Sequence, residues 1–177
     1  GYRKKGVYIC SGILFNHESP HRGEHFVTRK ISISLAKIKL GLQEAFSLGN
    51  LDAKRDWGFA GDYVKAMHAM LGQKKPSDYV IATGISHSVR EFVEATANAL
   101  GIKLAWSGFG LNEVARDGNG KTILTINEQY HRPVDVHHLT GDSTKARTEL
   151  GWKPEVSFEG LAEMMAKADH DRLSRLV

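Results

Sequence analysis

The sequence contains a single cysteine and no long apolar run. Cys10 has no partner for an internal disulfide, so cysteine usage gives no support for an oxidising compartment. No stretch approaches the roughly 18 to 20 apolar residues that a membrane span needs, and no signal-peptide hydrophobic region follows the basic N-terminus. These absences predict a cytoplasmic protein with no membrane partner, in which Cys10 packs in a core.

The sequence has only a small excess of positive charge. Its 24 lysine and arginine residues exceed its 20 acidic residues by 4. A nucleic-acid-binding domain would be expected to have clustered basic residues with interleaved aromatics, so no nucleic-acid partner is predicted. A modest positive balance is also typical of a protein that binds an anionic small molecule.

Several catalytic and metal-binding patterns are missing. No G-x-G-x-x-G follows a predicted strand, no tyrosine has a lysine four residues later, and there is no P-loop or serine nucleophile elbow. His17, His21 and His25 are four residues apart, but Pro20 and Gly23 interrupt the helix that such a metal site would need. The sequence therefore predicts no metal and assigns no catalytic residue.

Strand-like and helix-like segments alternate along the chain, which predicts an α/β fold. Short apolar segments predict strands at residues 7–15, 46–49 and 79–82, and a hairpin is predicted around the turn at 117–120 with its second strand at 122–126. Apolar periodicity predicts helices at residues 26–42, 59–71, 86–100, 143–150 and 158–176.

Details of two helices can be predicted from particular residues. In the segment 59–71, Val64, Met67 and Leu71 recur at helical spacing and are expected to face a core. In the segment 86–100, Ser88 stands three residues before a glutamate, as in a capping box, and Gly101 follows as a stop.

The predicted strands are too few for a self-contained doubly wound sheet. The chain also opens on a strand predicted to be buried, with no βαβ unit before it. Both features lead us to expect that the sequence is part of a larger protein.

The strongest local cluster of polar residues spans positions 16–23. It follows a predicted apolar strand, and in open α/β sheets ligands bind at that edge. Asn16 can donate and accept hydrogen bonds, His17 has a tunable ring, and Arg22 has a fork suited to phosphate. A polar turn that covers the sheet is the alternative interpretation.

Three basic sites could bind a phosphate-bearing ligand. Arg29 and Lys30 open a predicted helix, whose N-terminal amides also favour anions. Lys54-Arg55 and Arg132 are the other two sites. Solvated surface charge is the alternative interpretation of each of them.

Two longer segments, Phe15-Asn16-His17-Glu18-Ser19-Pro20 and Lys54-Arg55-Asp56-Trp57-Gly58, carry a family signal. With them the sequence resembles the extended short-chain dehydrogenase/reductase superfamily and, within it, the GDP-mannose 4,6-dehydratases. The further matching segments are residues 12–14, 22–24, 26–30, 48–53, 62–64, 79–84 and 132–133. The resemblance therefore extends through nearly the whole chain.

The resemblance implies an incomplete NAD(P)-binding Rossmann-type fold with an interleaved C-terminal nucleotide-sugar-binding domain. Residues 1–177 would be the C-terminal portion, and the N-terminal cofactor-binding and catalytic part, with its Tyr/Lys pair, would be absent. The family reaction removes water from GDP-mannose to give GDP-4-keto-6-deoxymannose and uses NADP. The full-length enzyme is expected to be a homo-oligomer. Another nucleotide-sugar dehydratase, epimerase or reductase, or a non-catalytic binding remnant, is the alternative.

The resemblance also implies roles for individual residues. His17 and Arg22 would contact NADP, and Asp135 stands where the family commonly has a glutamate that contacts the nucleotide. His21 replaces an arginine that is usual just before Arg22. The residues expected to hold the GDP-sugar, with the arginines at its diphosphate, are Asn16, Lys30, Arg55 and Arg132.

Overall fold

A computed structural model describes residues 1–130 and 138–177 of the chain. Arg132 and Asp135, to which the sequence analysis assigned roles, lie outside the described residues. No helix in the described residues is long and apolar enough to cross a bilayer.

Helices and strands alternate, so the predicted α/β class is confirmed. The helices are α1 (Val27–Lys39), α2 (Ala60–Leu71), α3 (Val89–Ala99), α4 (Thr144–Leu150) and α5 (Phe158–Ser174). The strands are β1 (Ser11–Leu14), β2 (Asn16–Glu18), β3 (Phe46–Leu48), β4 (Lys54–Arg55), β5 (Trp57–Phe59), β6 (Asp78–Ile81), β7 (His87–Ser88), β8 (Ala105–Ser107), β9 (Val114–Arg116), β10 (Thr122–Ile126) and β11 (His138–Leu139).

The larger hydrophobic core lies between a four-stranded sheet and three helices. The sheet has the strand order β3-β10-β9-β8, in which β3 and β10 are parallel and the other pairs are antiparallel. Helices α1, α3 and α5 contact one another, and fully buried Leu35, Phe92, Leu124 and Met165 belong to this core. The apolar faces of three helices and one sheet are therefore buried together, away from water.

A smaller core lies beside the parallel pair of β1 and β6. The pair runs in register from Ser11 opposite Asp78 to Leu14 opposite Ile81. Tyr63 of α2, Ile81 of β6 and Trp152 after α4 pack together there. The indole of Trp152 donates to the backbone oxygen of Asp62 at 2.7 Å, which ties the segment after α4 to α2.

Asp56 lies between β4 and β5 and accepts hydrogen bonds from two neighbouring loops. Its carboxylate is fully buried and accepts hydrogen bonds from the amides of Thr83 (2.8 Å), Gly84 (2.9 Å) and Gly141 (3.1 Å). The Thr83 hydroxyl also donates to it, at 2.6 Å. Because a buried carboxylate needs such donors, Asp56 fixes the end of β4 to the loops that follow β6 and β11.

The local signals at α3 and at the hairpin are confirmed. Ser88 accepts from the Glu91 amide at 3.1 Å, and the Glu91 carboxylate accepts from the Ser88 amide at 2.6 Å, which completes a capping box. Gly101 follows the helix with a φ of 68°, a conformation that favours glycine. Strands β9 and β10 form the predicted hairpin.

The predicted core face of α2 is wrong. Val64 and Leu71 are 59% and 67% exposed, and Met67 is also exposed, whereas Tyr63, Ala66 and Met70 are buried. The buried set has the same helical spacing, displaced by one residue, because Tyr63 and its neighbours pack against β6 and Trp152.

The first predicted strand is also corrected. Residues 2–5 form a 3₁₀ turn, β1 begins only at Ser11, and Val7 to Ile9 are exposed. Asn16 to Glu18 form a strand of their own, β2, which pairs in parallel with β5 rather than forming a polar turn.

Candidate nucleotide-sugar cleft

An open cleft of about 520 Å³ lies between the N-terminal turn of α1, the end of β3 and strand β4. Asn16, Lys30 and Arg55, three of the predicted sugar-nucleotide contacts, line it together. They come from β2, α1 and β4, which are distant in sequence. The fold thus brings two basic side chains and one amide side chain to a single cavity.

Lys30 contributes a cation that no acidic side chain among the described residues neutralises. Its ammonium lies 3.7 Å from the centroid of the Tyr130 ring, a cation–π contact. Within residues 1–130 and 138–177, Lys30 forms no ion pair. Tyr130 is itself 52% exposed and lines the cleft, so the Lys30 charge and an open aromatic ring lie side by side.

Arg55 is fixed by the strands on both sides of β4. It lies opposite His87 of β7 in an antiparallel pair and opposite Leu139 of β11 in a parallel pair. One terminal nitrogen donates to the Lys54 backbone oxygen at 2.8 Å. With the buried Asp56 following it, Arg55 is held on a rigid part of the fold, as a binding residue should be.

Asn16 is the first residue of β2 and lies opposite Trp57 of β5. Trp57 is buried in the larger core, and it also lines the cleft. The amide of Asn16, which can both donate and accept hydrogen bonds, is therefore placed on an ordered strand at the cleft wall.

His17 does not line the cleft. Its Nδ1 lies 2.8 Å from the backbone oxygen of Phe15, and its ring stacks on Tyr63 at 5.1 Å between centroids. Because a carbonyl only accepts, Nδ1 carries a hydrogen, and in the neutral ring Nε2 is left as an acceptor. Burial raises the pKa of the Tyr63 phenol, with further contributions from Asp56, Asp62 and Glu18, so the partner ring stays neutral.

Arg22 also lies outside the cleft lining. Its Nε is 3.2 Å from a Glu18 carboxylate oxygen, and its guanidinium lies over the Phe26 ring at 3.4 Å. Glu18 is 2% exposed, and burial raises its pKa against the opposing effects of its hydrogen bond from Thr28 and of the Arg22 charge.

Arg29 is excluded as a phosphate ligand. Its guanidinium is 4% exposed and binds the buried carboxylate of Asp169 through Nε, at 3.0 and 3.1 Å, and Nη2, at 2.8 Å. Its remaining Nη1 donates to the Arg22 backbone oxygen at 2.7 Å. Arg29 therefore joins α1 to α5 and fixes the turn that carries Arg22.

Two cleft residues, Glu18 and Tyr130, received no role from the sequence. Glu18 stands four residues before Arg22, a spacing that could have indicated an ion pair. Tyr130 has no comparable signal, because its partner Lys30 is 100 residues away. His17, His21 and His25 do not form a metal site, and no group of three potential ligands occurs in the described part of the chain.

Comparison with solved structures shows which fold the chain has. The RMD structure from Pseudomonas aeruginosa, complexed with NADPH, superposes with a TM-score of 0.77 at 19% identity, over 96% of this chain and 50% of that one. The dTDP-glucose 4,6-dehydratase from Bacillus anthracis, in complex with NAD, gives a TM-score of 0.72 at 14% identity, over 98% of this chain and 48% of that one. The chain therefore shares its fold with about half of each of these two structures.

Comparison of sequences shows the family to which the chain belongs. The family model for GDP-mannose 4,6 dehydratase matches residues 1–165. GDP-mannose 4,6 dehydratases from Drosophila melanogaster and Homo sapiens are each 56% identical over 164 residues, which is 92% of this chain and 42% and 44% of theirs. The chain belongs to the GDP-mannose 4,6-dehydratase family. It spans less than half the length of these curated relatives.

Proposed function

We propose that this chain is the nucleotide-sugar-binding part of a GDP-mannose 4,6-dehydratase. The observation that carries the proposal is the convergence of Asn16, Lys30 and Arg55 on one cleft, in a chain that belongs to that family. The reaction proposed for the complete enzyme is the removal of water from GDP-mannose to give GDP-4-keto-6-deoxymannose.

The basic side chains would bind the diphosphate. Lys30 offers a compact charge, whereas Arg55 offers a planar fork that can bind phosphate oxygens in pairs. By family resemblance Arg132 adds a second fork and Asp135 contacts the nucleotide. Asn16 would hydrogen-bond the ligand through its amide. These interactions bind and orient the nucleotide sugar, so that the reacting sugar is held in one position.

His17 and Arg22 would bind NADP. Their geometry fits such a ligand: His17 leaves Nε2 as an acceptor when its ring is neutral, and the terminal nitrogens of Arg22 donate to no residue that the structure describes. When bound, the cofactor supplies the hydride chemistry of the reaction. Through Nε2 the His17 ring could accept a hydrogen bond from a hydroxyl or amide of the cofactor, and the Arg22 fork would hold an anionic group.

We propose that the proton-transfer groups lie in an N-terminal part of the complete enzyme, outside residues 1–177. Residues 1–177 would then be the C-terminal portion of the enzyme, with no catalytic residue of their own. We propose a cytoplasmic enzyme that acts as a homo-oligomer when complete.

A turnover assay tests whether the catalytic groups lie outside residues 1–177. We expect the 177-residue chain to form no 4-keto product from GDP-mannose, and a complete enzyme that joins this sequence to an N-terminal half to form it with NADP+. Product formation by the chain alone would contradict the proposal that it has no catalytic residue. Turnover by the complete enzyme of UDP- or dTDP-glucose in place of GDP-mannose would contradict the proposed substrate.

A further inference from the structure

The guanidinium of Arg22 is anchored along one edge and one face. Nε lies 3.2 Å from a Glu18 carboxylate oxygen, an ion pair in which the buried Nε makes no hydrogen bond to a described residue, and the Phe26 ring lies against the guanidinium plane at 3.4 Å. Neither terminal nitrogen of Arg22 donates a hydrogen bond to a residue that the structure describes. The terminal nitrogens thus form a planar fork that faces away from the anchoring groups and suits an anion.

Glu18 is in turn held in place from α1. Its Oε2, the atom that faces Arg22, accepts a 2.6 Å hydrogen bond from the hydroxyl of Thr28. Thr28 is fully buried and lies in the first turn of α1. A carboxylate buried to this extent is stable only with a cation and donors beside it, so Glu18 and Arg22 fix each other's orientation.

We infer that Glu18, with the Phe26 ring, is a positioning residue that aims the Arg22 fork at an anionic group of the cofactor. The inference depends on the proposed function, which assigns Arg22 to the cofactor. Glu18 and Phe26 line the nucleotide-sugar cleft, whereas Arg22 does not. Glu18 and Phe26 therefore contact the Arg22 guanidinium and also line the cleft.

A double-mutant cycle in the complete enzyme tests this inference, with NADP+ and GDP as titrants. Glu18→Gln keeps an acceptor for Thr28 but removes the charge that anchors Arg22. We expect it to weaken NADP+ binding by about tenfold, because a misaligned Arg22 fork would lose about one charge-assisted hydrogen bond to the cofactor. GDP affinity should change less than threefold. In an Arg22→Ala background it should have no further effect on NADP+, because Glu18 acts through Arg22. The matched control is Glu24→Gln, an exposed glutamate in the same segment.

An equal loss of NADP+ affinity from Glu18→Gln in both backgrounds would overturn the inference. A ¹⁵N NMR measurement of the Arg22 Nε–H group separates this failure from a failure of the proposed function. We expect that resonance to shift and to exchange faster with solvent in Glu18→Gln but not in Glu24→Gln. If Arg22→Ala leaves NADP+ affinity unchanged, the cofactor assignment and the inferred purpose of the fork both fail. An Arg22 resonance unaffected by Glu18→Gln would refute the positioning role by itself.

Discussion

Replacing Asp169 with alanine should destabilise the fold strongly. Asp169 is 1% exposed, and its carboxylate accepts hydrogen bonds from Arg29, from the Ser32 hydroxyl at 2.6 Å and from Arg172 at 3.3 Å. Arg29 is 3% exposed and would keep its charge in the core without a counter-ion. Removing one partner of such a buried pair costs about 3–5 kcal/mol. That is a large fraction of the roughly 5–15 kcal/mol by which domains are stable.

Urea denaturation followed by circular dichroism measures this loss of unfolding free energy. The matched control is Asp171→Ala, two residues later on the same helix, where the side chain is 70% exposed and the expected cost is below about 1 kcal/mol. Replacing Arg29 by methionine together with Asp169 by leucine should restore at least half of the loss, because no unpaired charge remains. If Asp169→Ala costs no more than Asp171→Ala, the buried pair does not hold α1 to α5.

Three further perturbations have expected outcomes in the same denaturation assay. Gly141→Ala should cost about 1–3 kcal/mol, because the new Cβ would overlap the Cβ of Ala82, and a cost near zero would show that the loop adjusts freely. Ser88→Ala should cost about 0.5–2 kcal/mol through loss of the cap, and an unchanged unfolding midpoint would contradict a stabilising role for the capping box with Glu91. Burial raises the Glu18 pKa, so the folded state binds the proton more tightly than the unfolded state does. The free energy of unfolding should therefore fall as pH rises from the ordinary glutamate pKa through the raised value. Glu18→Gln should abolish this pH dependence.

Local signals in the sequence predicted much of the fold. The capping box at Ser88, the stop at Gly101 and the turn before β10 each depend on residues a few positions apart, and the structure confirms all three. The prediction of the buried face of α2 was wrong because that face depends on residues far apart in sequence. Its apolar residues occupy two adjacent stripes, and only long-range packing against Tyr79 and Trp152 selects the one that is buried.

The candidate site was likewise predicted in part from the sequence, and long-range contacts corrected the rest. The resemblance drew attention to Asn16, Lys30 and Arg55, and the fold places all three in one cleft, although their roles stay predictions. The predicted start of α1 indicated Arg29 as well as Lys30 as a phosphate ligand, but Arg29 binds the carboxylate of Asp169, 140 residues away. Nothing within a few residues of Arg29 could have revealed this partner. Local sequence therefore finds polar clusters, while tertiary contacts decide which of their members can reach a ligand.

Calorimetric titration of a complete enzyme built on this sequence with GDP tests the central claim most directly. Arg55→Ala and Arg132→Ala should each weaken GDP binding roughly ten- to a hundredfold, the loss of about 1.5 to 3 kcal/mol of charge-assisted hydrogen bonding, and leave NADP+ affinity nearly unchanged. Lysine at either position should restore the affinity only in part, because it keeps the charge and loses the fork. Arg22→Ala should show the reverse preference and weaken NADP+ first. Unchanged GDP affinity in both arginine variants would contradict the assignment of the cleft to the nucleotide sugar.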